Sequence, residues 1–123
     1  MTRPLTVLVL EDDAHVRRIV TDSLTSIGYR VLTAAHADEA FRHMEADTVD
    51  LLLSDVVLPR ISGPACALEL MKTAPRLRVL FMSGYLDTDL LRRLGLEAHM
   101  PFLQKPFSLT LLRDSVADIL IAA

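Results

Sequence analysis

Three adjacent acids, Glu11-Asp12-Asp13, a lone Asp55, a Ser83-Gly84 pair and a Lys105-Pro106 pair are the residues of this chain whose types could do chemistry together. Carboxylates gathered in one place repel one another unless a cation neutralises them. Hard oxygen donors with no His or Cys among them favour Mg²⁺. A hydroxyl and an ammonium arriving from the other side are the donors a phosphoryl group needs. The set therefore suits the transfer of a phosphoryl group onto a carboxylate, with Asp55 as the central nucleophile. Singly, each residue has a plainer use. A strand-terminal Asp caps a helix or forms a turn, and the acids at Glu11 can serve the positive N-terminus of a following helix. Ser83 can sit in a turn, and Lys105 can be a solvated surface cation.

What favours the joint reading is where the pattern of elements puts these residues. Val7–Leu10, Leu51–Ser54 and Val79–Met82 are near-continuous apolar runs, as expected of parallel strands buried on both faces. Arg30–Thr33 and Phe102–Gln104 are weaker candidates, suited to the sheet edges. Between them lie helical patterns. Val16, Ile19, Val20, Leu24 and Ile27 share one face, and Gly28 offers a left-handed stop. Ala37, Ala40, Phe41 and Met44 repeat the spacing after Asp38 opens the turn. Pro64, Ala67, Leu68 and Met71 repeat it again, with Pro64 near a helix start. A short helix is expected after Asp87, ending near Gly95. Ser108 can cap the last helix, whose Leu112, Val116, Ile119 and Leu120 face inward.

Five strands alternating with five helices predict an α/β fold: a doubly wound, flavodoxin-like five-stranded parallel sheet, order 2-1-3-4-5, with helices on both faces. Ligands of such sheets bind at the carboxyl ends of the strands, near the switch between the first and third. The acids, Asp55, Ser83 and Lys105 all fall at those ends.

Bulk properties narrow the class. A chain of 123 residues fits one domain, 1–123, and can bury a core without disulfides. With 51% hydrophobic and 24% charged residues it belongs with soluble globular proteins rather than disordered ones. The net charge of −3, with scattered Lys and Arg, gives no footprint for nucleic acid or an anionic membrane. One cysteine, Cys66, excludes an internal disulfide framework and reads as a small buried apolar residue. No stretch is long enough to span a bilayer, and the N-terminus is too short for a signal peptide, so a cytoplasmic location is expected. The histidines His15, His36, His43 and His99 have no metal-ligand spacing.

Across essentially its whole length the chain resembles the receiver domains of two-component response regulators. Val9-Leu10-Glu11-Asp12-Asp13 is similar to the acidic first-strand motif. Asp50 through Gly63, DLLLSDVVLPRISG, is similar to the phosphorylation-site motif, including its proline and later glycine. Ser83, Phe102 and Lys105-Pro106-Phe107 match the switch hydroxyl, the switch aromatic and the lysine–proline pair. The resemblance implies that Asp55 accepts a phosphoryl group from a phosphohistidine of a sensor histidine kinase or histidine phosphotransfer protein. It implies a Mg²⁺ site of Glu11, Asp12, Asp55 and the backbone carbonyl of Val57, with Asp12 and Asp55 holding the ion and Glu11 reaching it through water. Lys105 and Ser83 would hold phosphoryl oxygens, and Phe102 would rotate into space left behind Ser83. The surface built from the fourth helix, fifth strand and fifth helix would then change.

Phe81-Met82-Ser83-Gly84-Tyr85, with Phe102 through Phe107, resembles receivers attached to hybrid sensor kinases. The last helix lacks the charged dimer-interface pattern of winged-helix transcription regulators, so no direct nucleic-acid or membrane contact is expected. The expected oligomeric state is a monomer or weak dimer. The chain ends at Ala123, as a stand-alone receiver or part of a larger protein would. A small phosphatase of the haloacid-dehalogenase type also uses a strand-end Asp, but needs a second acid two residues later, where this chain has Val57. No enzyme activity beyond the chain's own phosphorylation and dephosphorylation is expected. A nucleotide-binding flavodoxin-like module would need a glycine-rich loop after the first strand, where acids stand instead.

Overall fold

The computed structural model describes residues 3–84, 92–93 and 101–121. Its five strands are β1 (Thr6–Leu10), β2 (Arg30–Ala34), β3 (Leu51–Asp55), β4 (Arg78–Ser83) and β5 (Phe102–Gln104). They pair in parallel in the order β2-β1-β3-β4-β5, as the alternating pattern predicts. Four helices are described: α1 (Ala14–Ser26), α2 (Ala37–Ala46), α3 (Gly63–Thr73) and α4 (Leu109–Ile121). The short helix predicted between Asp87 and Gly95 falls on residues of which only Arg92 and Arg93 are described; Tyr85 and His99 also lie outside.

The apolar runs become strands because both faces of the sheet are covered. Leu8, Leu10, Leu52 and Phe81 point to one face, against Ala37 and Ala40 of α2 and Cys66, Ala67 and Leu70 of α3. Val7, Val9, Leu51, Leu53 and Leu80 point to the other, against Val20 and Leu24 of α1 and Leu112, Val116 and Leu120 of α4. Alternation along a strand with apolar residues at every position is what two-sided burial requires. Each such leucine taken fully out of water contributes roughly 1.5–3 kcal/mol. The weaker runs, β2 and β5, do form the edges. Cys66 is fully buried, and burial pushes its thiol up to about 11.

Helix ends follow their local chemistry with a few departures. At the end of α1, Gly28 takes φ of 103°, its N–H donates to the Thr25 carbonyl, and the Tyr29 N–H donates to that of Leu24. This is the paired closure that a left-handed glycine after a helix permits. Ser62 caps α3 by accepting from the Ala65 N–H at 3.1 Å, with Pro64 in the first turn. Ser108 accepts from the Leu111 N–H at 3.0 Å, as predicted. For α2, however, the flanking residue is His36, and Asp38 lies inside the first turn. Three residues of the apolar helical faces read from the sequence are exposed: Ile19 on α1, Ile27 just after it, and Leu68 on α3. The helical face they share with buried neighbours is wider than the strip the sheet covers, so residues at its margins stay in water.

The end of the sheet opposite the acids is tied by a polar cluster. Asp50 accepts two hydrogen bonds from the Arg3 guanidinium, at 2.8 and 2.9 Å, and one from the Thr6 N–H at 2.7 Å. Arg78, at the start of β4, donates to the carbonyls of Ile119 and Leu120 at the end of α4.

Candidate functional site

The parallel register brings Leu10, Ser54, Phe81 and Phe102 level across four strands, so the next residues of each emerge at one end of the sheet. Asp55 is the last residue of β3 and is 8% exposed. Glu11 follows β1 and is 1% exposed, while Asp12 beside it is open to solvent. One carboxylate oxygen from each of Glu11, Asp12 and Asp55 lies within 4.8 Å of the others. Lys105, just after β5, reaches across β4 and donates from Nζ to Glu11 Oε2 at 2.9 Å and to Asp55 Oδ2 at 3.1 Å. Its own N–H donates to the Ser83 carbonyl at 2.7 Å, which fastens the lysine to the end of β4.

The electrostatics follow from burial and from this one cation. Burial pushes the Glu11 carboxyl above its ordinary range; the Lys105 hydrogen bond opposes that and the Asp55 charge adds to it. Burial alone would lower the Lys105 ammonium, but its hydrogen bonds and charges with Glu11 and Asp55 outweigh it and hold it above the ordinary range. Three carboxylates against one ammonium leave two negative charges, those that one divalent cation cancels. Oxygens on opposite sides of a Mg²⁺ ion are about 4.2 Å apart, a span compatible with carboxylate oxygens that lie within 4.8 Å of one another. The donor set is all oxygen, so these residues fit Mg²⁺.

Asp13 takes the plainer role open to the acid run. Its carboxylate accepts from the N–H groups of His15 at 2.9 Å and Val16 at 3.1 Å, capping α1. Those two bonds hold its carboxyl below the usual range. Ser83 ends β4 and is 2% exposed. Phe102 is half-buried and pairs with Phe81, two residues before Ser83, so Phe102 and Ser83 address the same face of the sheet. Val57 is 59% exposed, and its N–H donates to Asp55 Oδ1 at 3.2 Å. The Lys105–Pro106 peptide is cis. Of the histidines, His15 is exposed, His36 pairs with Glu39, and His43 bonds the Thr33 carbonyl.

Two supporting contacts carry no clear signal in the sequence. Arg17 donates to the Glu11 carbonyl at 2.8 Å and ties the acidic turn to α1. Gly63 packs on the backbone carbonyl of Asp55, where a Cβ would collide with that oxygen and with Ser54 Oγ. Its N–H donates to the Val56 carbonyl at 2.9 Å, so the loop leaving Asp55 returns to it. The glycine is visible in the motif, but the contact that requires it is not.

Comparison with known proteins agrees with this geometry. The family model for the response regulator receiver domain matches residues 7–117. The chain is 42% identical over 117 residues to the sensor kinase CckA of Brucella abortus (strain 2308), spanning 94% of this chain but 12% of that protein. It is 29% identical over 117 residues to the response regulator receiver protein CpdR of the same organism, covering 95% of this chain and 98% of that one. A solved signal receiver domain of an HD domain-containing protein from Pseudomonas fluorescens Pf-5 superposes with a TM-score of 0.88 at 21% identity, covering 98% and 97% of the two chains. Receiver domains bind Mg²⁺ through acidic residues such as these and exchange phosphoryl groups with kinases or phosphotransfer partners. The match does not support the haloacid-dehalogenase alternative: this chain belongs to the response regulator receiver domain family, the phosphoacceptor switches of two-component signalling.

Proposed function

We propose that Asp55 is the phosphoacceptor and that the phosphoryl group comes from a phosphohistidine of a sensor histidine kinase or histidine phosphotransfer protein. The observation that carries this is the convergence of Glu11, Asp12 and Lys105 on a nearly buried strand-end aspartate. An Asp55 carboxylate oxygen attacks phosphorus, the P–N bond to the donor imidazole breaks, and the nitrogen keeps the electron pair. Glu11, Asp12, Asp55 and the Val57 carbonyl would hold Mg²⁺, which supplies charge neutralisation for the incoming phosphoryl oxygens. Lys105 is already hydrogen-bonded to Asp55 and needs little movement to accompany a new oxygen there. The Ser83 hydroxyl would hydrogen-bond a second one.

That bond biases the switch. Ser83 drawn toward the phosphoryl group opens room on the face that Phe102 shares, and Phe102 turns inward. The surface of β5 and α4 changes as a result. The gap between the two states need be only a few kcal/mol, roughly what two charge-assisted hydrogen bonds supply.

Residues 1–123 are proposed to act as one domain, a monomer or weak dimer in the cytoplasm, without direct contact to nucleic acid or membrane. No helix among the described residues is long and apolar enough to cross a membrane. The chain's catalysis is confined to its own phosphorylation and dephosphorylation. The stoichiometry of reaction with a small phosphodonor tests this: uptake should stop at one phosphoryl group per chain. Sustained turnover of a generic phosphate ester would contradict it.

A further inference from the structure

Arg60 is the only non-glycine with positive φ among the described residues, at 70°. It is the middle of a three-residue turn that the Ile61 N–H closes on the Pro59 carbonyl at 2.8 Å. A three-residue turn with positive φ is rare and strained, and a side chain with a Cβ is disfavoured there. Glycine would relieve the strain, yet an arginine stands in its place. The side chain does not stabilise the loop either. Arg60 is exposed and makes no hydrogen bond or ion pair with any described residue. The loop is held by others: Val56 N–H to the Met82 carbonyl, Gly63 N–H to the Val56 carbonyl, and the burial of Val56 and Leu58. Strain kept where the fold does not need it points to function.

The position supplies the function. The loop starts at Asp55, and Gly63 returns to pack on the Asp55 carbonyl. Three residues span at most about 11 Å, so the Arg60 Cα lies within that distance of the Gly63 Cα. The mouth of the site is otherwise acidic, with Glu11, Asp12, Asp13 and Asp55 against Lys105. Mg²⁺ would cancel the surplus negative charge, but the metal-loaded site then has no net positive charge with which to attract a phosphodonor, which arrives as an anion.

We infer that Arg60 is a steering residue whose free guanidinium, held in a strained turn of the loop that leaves Asp55, draws the anionic phosphodonor toward the acceptor site. The inference rests on the reading of Asp55 as phosphoacceptor. One charge acting on a dianion across roughly 10–15 Å of water changes an encounter rate about two- to fivefold, and salt screens the effect.

The test is the second-order rate of phosphorylation by acetyl phosphate with saturating Mg²⁺, at low and at high ionic strength. Arg60→Gly should slow the reaction about two- to fivefold at low salt and match wild type at high salt. Arg60→Lys should keep most of the wild-type rate. Arg60→Gly should also raise the Tm by a few degrees, roughly 2–5 °C, because the strain is gone; a slower but more stable protein separates steering from damage. Equal rates for wild type and Arg60→Gly at low salt would overturn the inference while leaving Asp55 as acceptor. A deficit that persists at high salt would overturn it too, by making the role structural. No phosphorylation of the wild type would instead remove the acceptor reading, and the inference with it.

Discussion

Gly63 and Asp55 are packed backbone to backbone: the position where any other residue would carry its Cβ is taken by the Asp55 carbonyl oxygen. Asp55 is thereby fixed from two sides, by Lys105 at its carboxylate and by the start of α3 at its main chain. Gly63→Ala must push β3 and α3 apart, because backbone cannot swing away as a flexible side chain can. We expect a loss of about 1–3 kcal/mol in urea denaturation, typical of overpacking, together with slower phosphorylation. Unchanged stability would contradict the packing described.

Lys105 is the one cation that contacts both Glu11 and Asp55 among the described residues. Replacing it with methionine leaves two neighbouring carboxylates uncompensated, and Glu11 has a side chain only 1% exposed. Two opposite effects should follow. Phosphorylation should fall at least tenfold, because a donor to the phosphoryl oxygens is lost. Mg²⁺ should bind several-fold more tightly, because a competing positive charge is gone. Calorimetric titration reads the second effect; weaker Mg²⁺ binding in Lys105→Met would place the ion elsewhere. Chelation of the metal should stop phosphorylation of either protein.

The lifetime of the proposed acyl phosphate should depend on Val57. It is exposed beside Asp55 and has no group that could orient a water for attack on the acyl phosphate. A phosphoryl half-life of many minutes is expected, and Val57→Glu should shorten it by about tenfold. A wild-type half-life of seconds would contradict this.

At the far end of the sheet, Asp50 gives a pH dependence unconnected with signalling. Burial would raise its carboxyl, but the Arg3 and Thr6 hydrogen bonds with the Arg3 and Arg78 charges outweigh that and hold it below the ordinary value. A carboxyl depressed by folding stabilises above its unfolded pKa of about 3.9. That contribution is lost as pH falls through the folded value. Asp50→Asn should therefore cost roughly 1 kcal/mol at pH 7, and the gap to wild type should close as pH falls below about 4. A gap of constant size would show that Asp50 acts by shape alone.

How much of this was legible in the residues varies with the physics involved. The strands could be read because β1, β3 and β4 are buried on both sides, which leaves uninterrupted apolar runs. The site could be read because a parallel sheet sends every strand's end to the same place, so Glu11, Asp55, Ser83 and Lys105 had to meet. Asp13 could not be assigned from its type, since a capping acid and a ligating acid look alike until the His15 and Val16 N–H groups are in view. Ile19, Ile27 and Leu68 share an apolar face with buried residues yet stay in water, because periodicity gives a helix a face but not the width that its neighbours cover. The turn at Arg60 had no signal at all, because left-handed backbone is ordinarily announced by glycine.

The most direct measurement is the yield of hydroxylamine-sensitive acyl phosphate after treatment with acetyl phosphate and Mg²⁺, comparing wild type with Asp55→Asn. Wild type should gain one equivalent and Asp55→Asn none, with both proteins folded by circular dichroism. No acyl phosphate on the wild type, or as much on Asp55→Asn, would contradict the assignment of Asp55 as the acceptor.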